Sequence, residues 1–177
     1  RGEKVQPVAG KFPSSTKIAL DFAAENKNAC PIFAGRLIRG VKNGPAPKWV
    51  QDKLKSVGMK SISALVDATN LISQDRGRPL HVFDADKLTG GLQARMARDG
   101  ETLLALDEKT YTLDSGTVVI ADDAKALGIA GIMGGMESGS FENTVNVFIE
   151  SAWFDPARIA RSGRKQAIIS DARYRFE

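Results

Sequence analysis

The part of the sequence best suited to chemistry is a glycine-rich stretch followed by one acidic residue. Residues 128–136 hold glycines at 131, 134 and 135, and Glu150 follows the apolar run 146–149. Glycine allows a positive φ and lets a ligand approach main-chain N–H groups closely. We predict that Glu150 ends a strand. Two interpretations stay open at this point: a turn between core strands beside a solvated acid, and a narrow pocket with one polar group that selects its ligand.

The second candidate for chemistry is His81, the single histidine of the chain, which lies between two apolar residues. A lone histidine on an apolar segment is more often a satisfied core residue than a catalytic one. Pro79 stiffens the backbone just before it, which favours a functional position. Thr69 and Asn70 fall in the C-terminal half of a predicted helix, where polar residues more often face solvent.

Helices and short strands alternate around these candidates. The pattern predicts a helix that begins after Pro47 and ends at Gly58, a second that Ser61 caps and Gly77 ends, and a third after Asp155. The close spacing of the later strands indicates a compact antiparallel or mixed β layer. The predicted strands are residues 17–22, 31–41, 92–97, 102–106, 110–113, 118–121, 128–132 and 146–149.

The overall composition is that of an ordinary globular domain, with 177 residues of which 42% are hydrophobic. The single cysteine, Cys30, excludes an internal disulfide and predicts a reducing, cytoplasmic setting. One cysteine and one histidine cannot complete a structural zinc site, and no apolar run is long enough to span a membrane. The net charge of +4 is compatible with a nucleic-acid partner.

Two common catalytic signatures lack essential residues. Residues 35–40 have the first spacing of a phosphate-binding loop, but Val41 follows where that loop has lysine. Ser138 lacks the flanking glycines of a nucleophile elbow. Nucleotide binding by such a loop and covalent serine chemistry therefore both lose support.

Six motifs taken together resemble a known family. Their order and spacing are similar to the B3/B4 region of the bacterial phenylalanyl-tRNA synthetase β subunit, from residue 30 to residue 177. We expect residues 1–29 to be a lead-in segment and the whole chain to be part of a longer protein, because the family's amino-acid activation motifs are missing. The motifs lie at residues 35–41, 66–70, 78–84, 131–135, 150–152 and 171–177.

The resemblance implies an α+β fold, a three-layer β/β/α sandwich with mixed short strands. It also implies that the domain edits mischarged tRNA. It implies hydrolysis of tyrosine wrongly esterified to phenylalanine tRNA, since a site that accepts phenylalanine cannot strongly reject an added hydroxyl. The implied partners are the 3′ end of that tRNA and the α subunit, in an intact enzyme of two α and two β subunits. No cofactor is implied for this segment, because the parent synthetase uses ATP and magnesium elsewhere.

The resemblance also implies a role for each site residue. Glu150 would accept a hydrogen bond from the tyrosine hydroxyl, while His81 would orient or deprotonate the attacking water, with Thr69 beside the ester. Alternatives are a scaffold module that only holds tRNA, and a hydrolase for free small esters or D-aminoacyl-tRNA. The remaining implied substrate-binding residues are Gly131, Gly134, Ala172, Ser170, Pro79 and Asn70.

Overall fold

The chain folds into ten short strands and four α-helices within residues 6–177, which are the residues that a computed structural model describes. The strands are β1 (Ile18–Asp21), β2 (Ile32–Ile38), β3 (His81–Asp84), β4 (Leu92–Met96), β5 (Thr102–Leu104), β6 (Thr110–Thr112), β7 (Val118–Ala121), β8 (Ala126–Ile129), β9 (Met133–Gly134) and β10 (Val147–Trp153). The helices are α1 (Lys48–Ser56), α2 (Ala64–Arg76), α3 (Pro156–Lys165) and α4 (Asp171–Phe176). None of these helices is long and apolar enough to cross a membrane.

Two main sheets and the helices α3 and α4 enclose the principal core, whereas α1 and α2 pack around a separate small cluster. A mixed sheet has the order β1-β4-β7-β8-β9, with β1 parallel to β4, and an antiparallel sheet has the order β2-β10-β3. Val119 of the first sheet, Phe148 of the second and Ile159 of α3 belong to the same buried cluster. The predicted fold class, an α+β sandwich of β/β/α layers with short mixed strands, is confirmed.

The strand that carries Glu150 is longer than its sequence suggests. The prediction that Glu150 ends this strand is wrong, because β10 continues to Trp153 and places Glu150 at its centre. Pairing with β2 explains the extension, since Ser151 lies opposite Ala34 and Trp153 opposite Ile32. Because the pairing with β3 ends at Glu150, β2 alone supplies the main-chain hydrogen bonds of the second half of β10, and these outweigh the weak strand propensity of a Ser-Ala pair.

The start of α2 also differs from the prediction, which took Ser61 as the cap. The side chain of Ser63 accepts a hydrogen bond from the Val66 N–H and is the actual N-cap. Ser61 is engaged elsewhere, because its hydroxyl donates to the buried Asp67 carboxylate. Gly77 ends the helix in the left-handed conformation, as predicted.

The glycine-rich stretch forms a hairpin turn rather than one continuous strand. The prediction of a strand over residues 128–132 is therefore shifted, since β8 ends at Ile129 and β9 begins at Met133. Gly131 lies in the turn with φ of +67°, and the Ile132 N–H donates to the Ile129 carbonyl at 3.0 Å. A residue with a side chain rarely adopts that φ, so glycine is the residue this turn requires.

Candidate functional site

A small cavity of about 90 Å³ lies between the two main sheets and α4. Its walls include Pro79 before β3, Gly131 and Gly134 of the β8–β9 hairpin, Glu150 of β10 and Ala172 of α4. The remaining lining is largely aliphatic and aromatic. Such a mostly apolar cavity with few polar groups is typical of a small-ligand site.

Strand register places the two predicted key residues side by side. Glu150 lies opposite Gly35 of β2 on one side and opposite His81 of β3 on the other. Residues directly opposite each other in an antiparallel pair point to the same face of the sheet. The carboxyl group of Glu150 and the imidazole of His81 are therefore neighbours on the face that borders the cavity.

Burial leaves this pair without charge at neutral pH. Glu150 is only 7% exposed, and desolvation raises the pKa of its carboxyl group from 4.5 to about 8. The Nε2 atom of His81 is buried without a hydrogen-bond partner, and desolvation lowers the pKa of the imidazole from 6.5 to about 4. A neutral carboxylic acid can donate or accept a hydrogen bond, and a neutral imidazole can take up a proton.

The glycine wall is closely packed against aromatic side chains. A Cβ atom at Gly131 would lie 2.9 Å from Phe154 and 3.1 Å from Phe176. A Cβ atom at Gly134 would collide with the imidazole of His81. The hairpin main chain can therefore approach these rings only because both positions are glycine.

Ser170 lies beside the cavity and connects two of its walls. It is the N-cap of α4, where its side chain accepts a hydrogen bond from the Arg173 N–H at 3.1 Å. The same hydroxyl donates to the carbonyl of Ile132 in the β8–β9 hairpin at 2.7 Å. These bonds tie the helix that carries Ala172 to the glycine turn.

The structure brings His81, Pro79, Gly131, Gly134, Glu150 and Ala172 together around the cavity, whereas three predicted residues do not line it. One of the three is Ser170, which lies beside the cavity. Thr69 and Asn70 lie on α2 and do not line the cavity. The hydroxyl of Thr69 donates to the Val66 carbonyl at 2.8 Å within the helix. Their roles beside the ester remain predictions.

Three phenylalanines that were not predicted as site residues also line the cavity, namely Phe83, Phe154 and Phe176. Phe154 and Phe176 pack edge to face with their ring centroids 5.2 Å apart. A signal was present for one of them, because Phe176 follows Ala172 by four residues and so shares its helix face. Phe154 follows β10, and nothing in its local sequence separates it from an ordinary core residue.

The fold and the site together define the class of protein. It is a layered α+β domain with a small apolar cavity that holds an uncharged carboxyl group beside an imidazole. Residues 29–177 match the family described as B3/4 domain, and the chain belongs to that family. The resemblance inferred from the six motifs is thereby confirmed.

The chain is similar to phenylalanine–tRNA ligase beta subunits. It is 59% identical over 174 residues to that subunit of Paramagnetospirillum magneticum, covering 98% of this chain and 22% of the relative. It is 56% identical over 173 residues to that of Cereibacter sphaeroides, covering 98% and 21%. The chain thus spans about a fifth of the length of these relatives.

A solved structure shares the fold. It is an N-terminal fragment of the phenylalanyl-tRNA synthetase beta subunit from Pyrococcus horikoshii, with a TM-score of 0.61 and 15% identity. The likeness covers 91% of this chain and 52% of that one. At this level of identity the likeness shows the fold alone.

Proposed function

We propose that this domain hydrolyses the ester between tyrosine and phenylalanine tRNA. The observation that carries the proposal is the uncharged carboxyl group of Glu150 inside an apolar cavity, beside the unpartnered Nε2 of His81. The need for such a site is physical. A pocket that accepts phenylalanine rejects a similar side chain with one added hydroxyl only about 10²-fold, so a second, tyrosine-selective site must remove the error.

Selectivity for tyrosine follows from the burial of Glu150. A tyrosine ring that enters the cavity brings its hydroxyl to the carboxyl group of Glu150, which then gains a hydrogen-bond partner. A phenylalanine ring would fill the same space and leave the buried carboxyl unpaired. An unpaired buried polar group costs about 1–3 kcal/mol, and this penalty is the basis for excluding phenylalanine.

Hydrolysis proceeds by attack of water, because an aminoacyl ester is already activated and needs no protein nucleophile. The neutral imidazole of His81 takes a proton from the water as its oxygen bonds to the ester carbonyl carbon. Main-chain N–H groups of the glycine hairpin stabilise the oxyanion. The carbon–oxygen bond to the ribose then breaks, the proton passes to the ribose oxygen, and free tyrosine leaves.

Two partners belong to the same proposal. The substrate places the 3′ end of phenylalanine tRNA at the cavity, and the names of the relatives, beta subunits of phenylalanine–tRNA ligase, support an α subunit as the partner of the longer protein. Cations at positions 36, 39, 42, 158, 161, 164 and 165 are candidate tRNA contacts. A steep fall of tRNA affinity with salt is the expected sign of such contacts.

The test is deacylation of tyrosyl- and phenylalanyl-tRNA(Phe) by this chain, by Glu150→Ala and by a control, Glu142→Ala, which removes an exposed acid. We expect tyrosine-selective hydrolysis by the wild type and by the control. Glu150→Ala should lose about 10-fold or more of the selectivity, the order of one buried hydrogen bond, while remaining folded. Unaltered selectivity in this variant would overturn the role of Glu150.

A scaffold function makes a different prediction. In that case neither this chain nor the intact synthetase hydrolyses tyrosyl-tRNA(Phe). Hydrolysis by the intact enzyme alone would mean that delivery of the tRNA end needs other parts of the longer protein. A free-ester hydrolase would instead cleave a simple tyrosine ester at least as well as the tRNA ester.

A further inference from the structure

The proposed substrate poses a problem that the cavity does not solve. Its amino-acid part is uncharged at the ring, whereas its nucleotide part carries phosphates. None of the residues that line the cavity is a lysine or an arginine. The two titratable residues in the lining are His81 and Glu150, and their pKa values keep both uncharged near neutral pH. A cationic side chain that binds phosphate must therefore lie outside the cavity.

Arg78 occupies the rim of the cavity, which we define by Arg78, Pro79 and Phe176. It directly precedes Pro79, which lines the cavity, and its guanidinium carbon is 6.0 Å from the ring centroid of Phe176. One guanidinium nitrogen donates to the Ala152 carbonyl at 3.2 Å. The residue as a whole is exposed to solvent.

The absence of an acidic partner separates Arg78 from the arginines nearest to it in the fold and sequence. Arg76 pairs with Asp75, Arg173 with Glu177, and Arg175 with Asp171. Among residues 6–177 no carboxylate lies within ion-pair distance of Arg78. Its charge is therefore available to a ligand.

The backbone holds Arg78 in a defined place. Gly77, directly before Arg78, ends α2 in the left-handed conformation. The ring of Pro79, directly after Arg78, fixes the φ of the proline. A cation at such a position loses less freedom when it binds than one on a flexible loop. The planar guanidinium also matches the geometry of two phosphate oxygens.

We infer that Arg78 is a substrate-binding residue that holds a nucleotide phosphate of the substrate at the rim of the cavity. The inference rests on the proposed function. It gives the cavity and its rim separate tasks, since the cavity selects the amino acid and Arg78 anchors the nucleotide.

The test uses two stable ligands in which an amide replaces the ester. One is 3′-(tyrosylamino)-3′-deoxyadenosine, and the other is the same compound with a 5′-phosphate. Dissociation constants are measured for the 177-residue chain at low and at physiological salt. We expect the phosphate to raise the affinity of the wild type about tenfold at low salt, and less as salt screens the charge.

Three variants assign that gain. Arg78→Gln should bind both ligands equally, whereas Arg78→Lys should keep part of the gain because it retains a point charge. The matched control is Arg76→Gln, two residues before Arg78. It also removes one positive charge, but Arg76 already pairs with Asp75, so this variant should retain the gain.

Each other result has a distinct meaning. A phosphate gain that persists in Arg78→Gln overturns the assignment, and so does a wild type that binds the two ligands equally. Equal weakening of both ligands with a lower melting temperature assigns Arg78 a structural role and overturns the inference as well. Failure of the wild type to bind the ligand without phosphate overturns the proposed function itself.

Discussion

Two pairs of ionisable side chains, each with one buried member, differ in how their charges are stabilised. At the paired site, Arg95 of β4 and Glu101 form two hydrogen bonds of 2.9 and 2.6 Å. At the cavity pair, Glu150 and His81 lie opposite each other on β10 and β3. The pKa of Glu101 falls to about 2, chiefly through its bonds to Arg95, whereas burial raises that of Glu150 to about 8.

The difference shows which buried polar groups maintain the fold and which are available for binding. Glu101 also accepts the N–H groups of Arg98 and Ala126, so it holds several segments together in its charged form. Glu150 is neutral and the Nε2 atom of His81 has no partner, whereas Arg95, whose Nε is also without a partner, donates to Glu101 through both terminal nitrogens. A site that loses stability by keeping polar groups unpaired is expected where a ligand later supplies the partner.

The largest effect is expected from Glu101→Ala, which should lower the free energy of unfolding by about 3–5 kcal/mol. The change leaves the guanidinium of Arg95 buried without its partner, and such a broken pair is strongly destabilising. Urea unfolding at pH 7 measures the loss. The control is Glu137→Ala, which breaks an exposed pair with Lys125 and should cost less than about 1 kcal/mol. A similar small loss at both positions would remove the contrast.

The second prediction concerns pH. The native carboxyl group of Glu150 binds its proton more tightly than the unfolded one, since its pKa is about 8 rather than 4.5. This group alone should therefore cost the wild type stability as pH rises from 4.5 to 8. The lowered pKa of His81 has the opposite effect between about 4 and 6.5, but it is common to the wild type and to Glu150→Gln and so cancels in their comparison. Glu150→Gln has no such proton to lose, so relative to the wild type it should gain on the order of 4 kcal/mol over that interval.

Urea unfolding of both proteins at several pH values checks this prediction, and the paired site supplies a control of opposite sign. The lowered pKa of Glu101 gives stability that is present above 4.5 and lost as pH falls towards 2. The penalty of Glu101→Ala should therefore shrink in acid. A Glu150→Gln curve that runs parallel to the wild type would show that Glu150 is charged in the folded protein.

The sequence predicts the ends of helices better than it predicts the two pairs of ionisable side chains. Gly77 and Asp155 define helix ends through local conformation and capping, and both predictions hold. Ser61 and Ser63 are equally good caps by type, and only the tertiary bond from Ser61 to Asp67 decides between them. Local patterns thus predict elements where no distant partner competes.

The site required information that is not local. Glu150 and His81 are 69 positions apart in the sequence and become neighbours only through the register of β10 against β3. Sequence spacing could not predict that contact, whereas the resemblance to a family assigned both residues to one site. The length of β10 was missed for the same reason, because β2 supports its second half. Nothing in the sequence distinguishes the pair of Arg95 and Glu101 from a surface ion pair, because burial depends on the tertiary structure.

Gly134→Ala tests the cavity pair from its glycine wall. The added Cβ would collide with the imidazole of His81, which is already packed edge to face on Phe83 with centroids 4.4 Å apart. We expect a stability loss of about 2 kcal/mol and slower hydrolysis of tyrosyl-tRNA(Phe). Gly44→Ala is the matched control, because no atom lies within 4 Å of a Cβ there. Unchanged hydrolysis in Gly134→Ala would argue that the position of His81 is unimportant.

The smallest effect is expected from Ser170→Ala, and its value lies in comparison with Ser63→Ala. Both serines are N-caps, so both changes should cost about 1 kcal/mol in thermal or urea unfolding. Only Ser170 also donates to the Ile132 carbonyl and so holds α4 against the glycine turn. Ser170→Ala should therefore weaken binding of the tyrosyl amide ligand as well. Equal binding by the two variants would make Ser170 a helix cap and nothing more, and the cavity would then owe its shape to apolar packing alone.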